Sequence, residues 1–136
     1  MEVVILVGRI AFAVLFLASG FGHLIQTKAM AGYAESLGVK PAKPLVVLSG
    51  IQIIVGGAMV GAGVWADLGS LILVAFLIPT AIMFHPFWKF EGQQQQMEMT
   101  NFLKDLSLAG AALALFGFFY QAGAALGLTI TGPLFG

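Results

Sequence analysis

Six polar side chains could do chemistry in this otherwise apolar chain: Arg9, His23, Gln52, His85, Lys104 and Asp105. Imidazole is the side chain whose ordinary pKa allows proton exchange near neutrality, so His23 and His85 are the first candidates for a proton-exchanging or ligand-binding site. Two histidines can also ligate haem iron or another metal. No third protein ligand is evident beside them, so a small apolar ligand held by hydrogen bonds ranks above a metal. Asp105 could accept a hydrogen bond from a histidine and fix its tautomer, with Lys104 as its neighbour. The plainer alternative is that both histidines and the Lys104–Asp105 pair only touch headgroups and water at helix ends. The chain has no cysteine, which removes disulfides, thiolate metal sites and a cysteine redox pair.

The elements that would position these residues are apolar. Hydrophobic residues make up 60% of the 136 positions and charged residues 9%, with a mean hydropathy of +1.00. A soluble domain carries about 25% charged residues to cover its surface. Lipid removes that need, and apolar runs of about 20 residues must then be helical, because lipid cannot satisfy open backbone groups. Four such runs occur: Val3 to Ile25, Pro44 to Trp65, Leu68 to Phe84 and Phe102 to Leu126. The expected fold is all-α, an integral membrane four-helix bundle forming one domain over residues 1–136. Glu2 stands where a signal peptide would be basic, and Arg9 interrupts the apolar stretch, so the first run reads as a retained helix. Net charge is zero and no basic stripe offers a nucleic-acid footprint.

Three connections follow. Asp67 sits in a tight turn that makes the second and third runs a hairpin. Residues Thr27 to Lys43 predict a short interfacial helix, with Thr27 as its cap, Gly38 as its stop, and Met30, Tyr33 and Leu37 on one face. Residues His85 to Asn101 predict a loop, with Phe87, Trp88 and Phe90 at the interface and four glutamines in solvent. Lys28, Lys40, Lys43, Lys89 and Lys104 all accompany the two long connections. The positive-inside rule then puts those connections in the cytoplasm and both termini outside.

Depth sorts the polar residues. His23, His85, Lys104 and Asp105 lie at the end carrying the long connections, and Gln52 lies about 12 Å below it at 1.5 Å per residue. Arg9 lies about 21 Å from His23 along the helix. It either snorkels to the far face or needs a partner there, for which Tyr120, Gln121 and Asp67 are the candidates. Small residues predict close packing at Gly57/Gly61, Gly123/Gly127 and Ala18/Gly22, inside the bundle or between copies in a homo-oligomer. Pro79 withholds an N–H from the Ala75 carbonyl and predicts a kink.

Taken in order, Arg9, Phe16, the run Ser19 to His23, Tyr33, Leu37-Gly38-Val39, Ser49-Gly50, Gly56-Gly57, His85-Pro86-Phe87-Trp88, Phe102 to Leu106 and Gly110 resemble the DoxX family of small bacterial membrane proteins. The resemblance covers nearly the whole chain. It implies a four-helix bundle in the inner (plasma) membrane. Some relatives are similar to a subunit of a thiosulfate:quinone oxidoreductase, and others to membrane partners of secreted redox proteins. Quinone is therefore the implied cofactor, and a redox-associated subunit with an electron-supplying partner protein the implied role, with His23, Gln52, His85, Lys104 and Asp105 around the ligand. A non-enzymatic scaffold or chaperone for a partner is the alternative, and a small transporter ranks last. The family frequently has Glu where Gln52 stands and Asn where Asp105 stands, which moves the acidic group from one position to the other.

Overall fold

A computed structural model covers residues 1–136 and contains five α-helices. They are α1 (Glu2–Ile25), α2 (Thr27–Ser36), α3 (Ala42–Ala62), α4 (Ala66–Phe84) and α5 (Gly92–Ala122). Short 3-10 turns follow at Phe87–Lys89 and Gly123–Ala125. Helices α1, α3, α4 and α5 are long and apolar enough to cross a membrane. No more than a third of any apolar window is buried by the rest of the chain, so most of the surface of each span must face hydrocarbon. The protein is a multi-pass membrane helical bundle.

The helix ends follow local chemistry. Pro44 falls in the first turn of α3, where an N–H has no intrahelical partner to lose. At the other end α3 stops at Gly63, whose φ of 71° is left-handed. Helix α4 continues through Pro79 to Phe84. Thr27 does not cap α2. Its hydroxyl donates to the His23 and Leu24 carbonyls at 2.7 and 2.9 Å, closing the last turn of α1 instead. Gly38 does stop the short helix region, at a φ of 82°.

Helix α5 corrects the expectation of a glutamine loop. It starts at Gly92 and runs for 31 residues, about 46 Å at 1.5 Å per residue, against a hydrocarbon core of about 30 Å. Glutamine is a good helix former, and only the hydropathy of this stretch resembled a loop. The consequence is that Glu98 joins a helix face with Asp105, two turns further on.

Close packing runs α1–α3, α3–α4 and α4–α5, while the backbones of α1 and α5 do not pack on each other. Gly20 and Gly50 make the tightest crossing. A Cβ on Gly20 would sit 2.8 Å from the Gly50 carbonyl oxygen, and one on Gly50 would sit 2.8 Å from His23 Cβ. Gly57 and Gly61 pack on Phe16 and Ala13 of α1. On α1 the contact face is therefore Ala13, Phe16 and Gly20, whereas Ala18 is exposed and Gly22 has open space beside it. Gly123 and Gly127 lie past the end of α5 and form no helix-packing pair. Phe16, Ile53, Val60, Leu73, Leu77 and Phe119 join all four spans in one core.

The end of the bundle away from the long connections is closed by the chain's last residues. The Gly63 carbonyl accepts the N–H groups of Ile130 and Thr131, both at 3.0 Å. The Asp67 carboxylate, fully buried, accepts those of Leu134 and Phe135 at 2.8 and 2.7 Å. Arg9 is also buried here, and its partners correct the sequence expectation. Its Nε donates to the Val60 carbonyl at 3.1 Å, and Nη2 donates to the Gly61 and Leu128 carbonyls, both at 3.0 Å. Two of these are last-turn carbonyls of α3, which have no intrahelical N–H to accept and carry the negative end of the helix dipole. Asp67 is engaged elsewhere, and Tyr120 is exposed and packs its ring against Phe116.

Candidate functional site

At the opposite end, a cavity of about 510 Å³ lies between the ends of α1, α3 and α4, with α2 across it. Helix α2 reaches it with Met30 and Tyr33, so two of the three residues assigned to the membrane surface border a hollow, and Leu37 does not. Pro79, Phe76 and Val46 supply much of the apolar wall, and His23, Ser49, Gln52, Thr80 and His85 the polar groups. A hollow of this size, mostly apolar with a few polar groups, is the usual form of a small-molecule site.

His23, Ser49, Gln52 and His85 are each held by a further contact. His23 projects from the last turn of α1 toward α3, and its Nδ1 is 2.9 Å from Ser49 Oγ and 3.4 Å from the Val46 carbonyl. Phe76 meets the imidazole edge-on at 5.9 Å between centroids. Gln52, on the same face of α3 as Ser49, donates its amide to the Ile72 carbonyl of α4 at 3.1 Å. That bond bridges two spans one helical turn before the Ala75 carbonyl, which Pro79 leaves without its helical partner.

His85 caps α4 and stands between two carboxylates of α5. Its Nδ1 is 2.7 Å from Glu98 Oε2, and its Nε2 is 3.5 Å from Asp105 Oδ2. Glu98 and Asp105 are buried at 6% and 7% exposure. The other Glu98 oxygen is 3.2 Å from the Tyr33 hydroxyl, which is also 3.2 Å from the Phe84 carbonyl. Tyr33, His85, Glu98 and Asp105 thus form a continuous polar chain joining α2, α4 and α5. Burial, and then the Glu98 charge, push the Tyr33 hydroxyl above the ordinary tyrosine pKa, so it stays a donor throughout the neutral range.

Of the residues singled out from sequence, His23, Gln52 and His85 border the cavity. Asp105 stands behind His85 and does not line it. Lys104 is exposed on the outside of α5. The sequence reading missed Glu98, Tyr33 as its partner, and Ser49 as the support of His23. The seven-residue spacing of Glu98 and Asp105 was the available signal, since it places both on one helix face once the glutamines are taken as helical. No three ligating side chains converge as a metal site would need; the two carboxylates sit on opposite nitrogens of one ring.

Comparison with known proteins agrees with this architecture. The chain is 25% identical over 113 residues to inner membrane protein YphA of Escherichia coli (strain K12), covering 83% of this chain and 81% of that protein. No solved structure matches it. The DoxX family model matches residues 4–86, which takes in α1 to α4 and the cavity wall but not the carboxylates of α5. With more than half of its length matched, the chain belongs to the DoxX family.

Proposed function

We propose that the chain is a quinone-linked redox subunit of the inner membrane, binding the ligand's ring in the cavity beside His23, Gln52 and His85. The cavity carries this reading: about 510 Å³, walled by apolar side chains and furnished with a few fixed polar groups. The residues fit the ligand class, since a flat ring needs apolar faces and its oxygens need hydrogen-bonding partners. A quinone supplies reversible two-electron, two-proton chemistry. This chain supplies the pocket, the groups that orient the ring, and a histidine flanked by carboxylates that can hold or pass a proton at its ring nitrogens. Electrons come from a partner protein.

Ala75 lines the cavity and its side chain carries no polar group. Ala75→Phe is therefore expected to lower affinity for a decyl-tailed benzoquinone–hydroquinone couple at least ten-fold with little change in thermal stability. Titration of the purified protein in nanodiscs measures it. Affinity for both members of the couple that is unchanged in His23→Ala and in His85→Ala removes the reading.

The same reading places the cavity end in the cytoplasm, because all five lysines accompany it. Ile130, in the tail at the other end, is 72% exposed. Ile130→Cys is expected to react with a membrane-impermeant maleimide from outside intact cells, and reaction only after lysis would reverse the orientation.

One observation favours the scaffold role as a second reading. The first turns of α5 stand beyond the hydrocarbon and expose Met97 and Met99 near the exposed Trp88. A stoichiometric partner that stays bound when both histidines are replaced supports it, as does a second copy bound at these residues.

A further inference from the structure

The hairpin of α3 and α4 is tight near its turn and borders the cavity at its other end. Near the turn the backbones meet: a Cβ on Gly69 would sit 3.0 Å from the Gly56 carbonyl oxygen. The Gln52 amide bridges to the Ile72 carbonyl about one helical turn further along. Beyond that bridge both helices line the hollow, α3 with Leu45 and Ser49, α4 with Ala75, Pro79 and Met83.

These lining residues divide by exposure. Val46 is buried, and His23, Ser49, Gln52 and Thr80 are half-buried. Leu45, Ala75, Pro79 and Met83 are exposed. The last three are spaced by four and share one stripe of α4. Ala75 lies about 15 Å along the helix from His85, half the depth of a hydrocarbon core of about 30 Å. Ile78 and Ile82 stand three residues on from Ala75 and Pro79, and Leu48 three on from Leu45, so they are surface neighbours of the lining residues. All three are exposed and none lines the cavity. The cavity wall therefore continues onto the lipid-facing surface of both helices, at a depth where hydrocarbon is the solvent.

Resting on the ligand class proposed above, we infer that the cavity is entered from the hydrocarbon through a slot between α3 and α4, and that the bound ligand keeps its tail in that slot. The ring sits inward beside His23, Gln52 and His85, and the tail leaves past Ala75 and Pro79 into the bilayer. The occupant is thus a ring carrying one long apolar chain. An eight-isoprene tail cannot be enclosed in about 510 Å³, and a slot open to lipid does not have to enclose it. Such a tail lies in hydrocarbon whether the ligand is free or bound, so lengthening it adds no hydrophobic driving force and carries no penalty.

The test has two arms, both on the protein in nanodiscs. The first titrates two benzoquinones with the same ring, one with a decyl tail and one with an eight-isoprene tail, their concentrations counted per bilayer lipid. The two affinities are expected to agree within about three-fold. A decyl probe that binds while the long-tailed one is weaker by about ten-fold or more shows a closed cavity and overturns the slot, with the quinone site left standing. The second arm locates the opening with a light-activated diazirine in the middle of the decyl tail. Labelling that excess decyl-benzoquinone suppresses is expected at Leu48, Ile78 and Ile82. Suppressible labelling confined to α2, or to α1 and α5, or none at all despite binding, overturns the slot. Failure of both benzoquinones to bind removes the quinone reading itself, and this inference with it.

Discussion

Arg9→Leu is expected to destabilise the protein by about 4 kcal/mol, because hydrogen bonds to a charged group contribute roughly 1.5–3 kcal/mol each and their loss strands buried acceptors. The leucine would fit the apolar surroundings, so the loss measures the guanidinium and not its stem. Three carbonyls lose their donor at once: Val60, Gly61 and Leu128. Water cannot replace it freely, since Arg9 is only 2% exposed. Arg9→Lys should recover only part of the loss, because a point ammonium cannot reach three diverging acceptors as a planar fork does. Reversible unfolding in mixed micelles reads both variants. A leucine variant as stable as the parent would show that the guanidinium contributes nothing to the fold.

Glu98→Ala is the second large effect, expected at about 3 kcal/mol from two hydrogen bonds to one charged carboxylate. The substitution frees the Nδ1 side of His85 and one side of Tyr33, and it unties α2 and α4 from α5. Combined with Tyr33→Phe, the losses should fall short of additivity by about 1 kcal/mol, the usual coupling of directly bonded groups. Strict additivity would mean that the 3.2 Å contact carries no energy. The pH dependence has a definite sign. The pKa of Tyr33 is raised in the folded protein, so its contribution is complete below the ordinary tyrosine pKa. It is lost as pH rises through the folded value.

The spans were legible because hydrocarbon imposes one rule on every backbone group, and hydropathy reads that rule directly. The gathering of His23, Gln52 and His85 at one end followed from counting 1.5 Å per residue. What escaped has a physical reason in each case. Arg9 is held through Nε and Nη2 by backbone carbonyls, which exist at every residue and leave no trace in residue type, so a search among side chains pointed to Tyr120, Gln121 and Asp67. Glu98 lies on the part of α5 that has left the lipid, where apolar character stops but the helix does not. Lys104 and Asp105 are adjacent in sequence and therefore about 100° apart around α5. One was bound to face His85 and the other to face away.

The tie between Arg9 and Leu128, 119 residues apart, also bears on how the protein is made. Arg9 leaves the ribosome with the first helix, yet the tail that supplies its third acceptor is synthesised last among its partners. Until then the guanidinium has at most the Val60 and Gly61 carbonyls of α3 as its acceptors. The seat of the first helix is thereby finished only when the tail arrives, so a chain that stops within α5 is expected to hold Arg9 by two carbonyls instead of three.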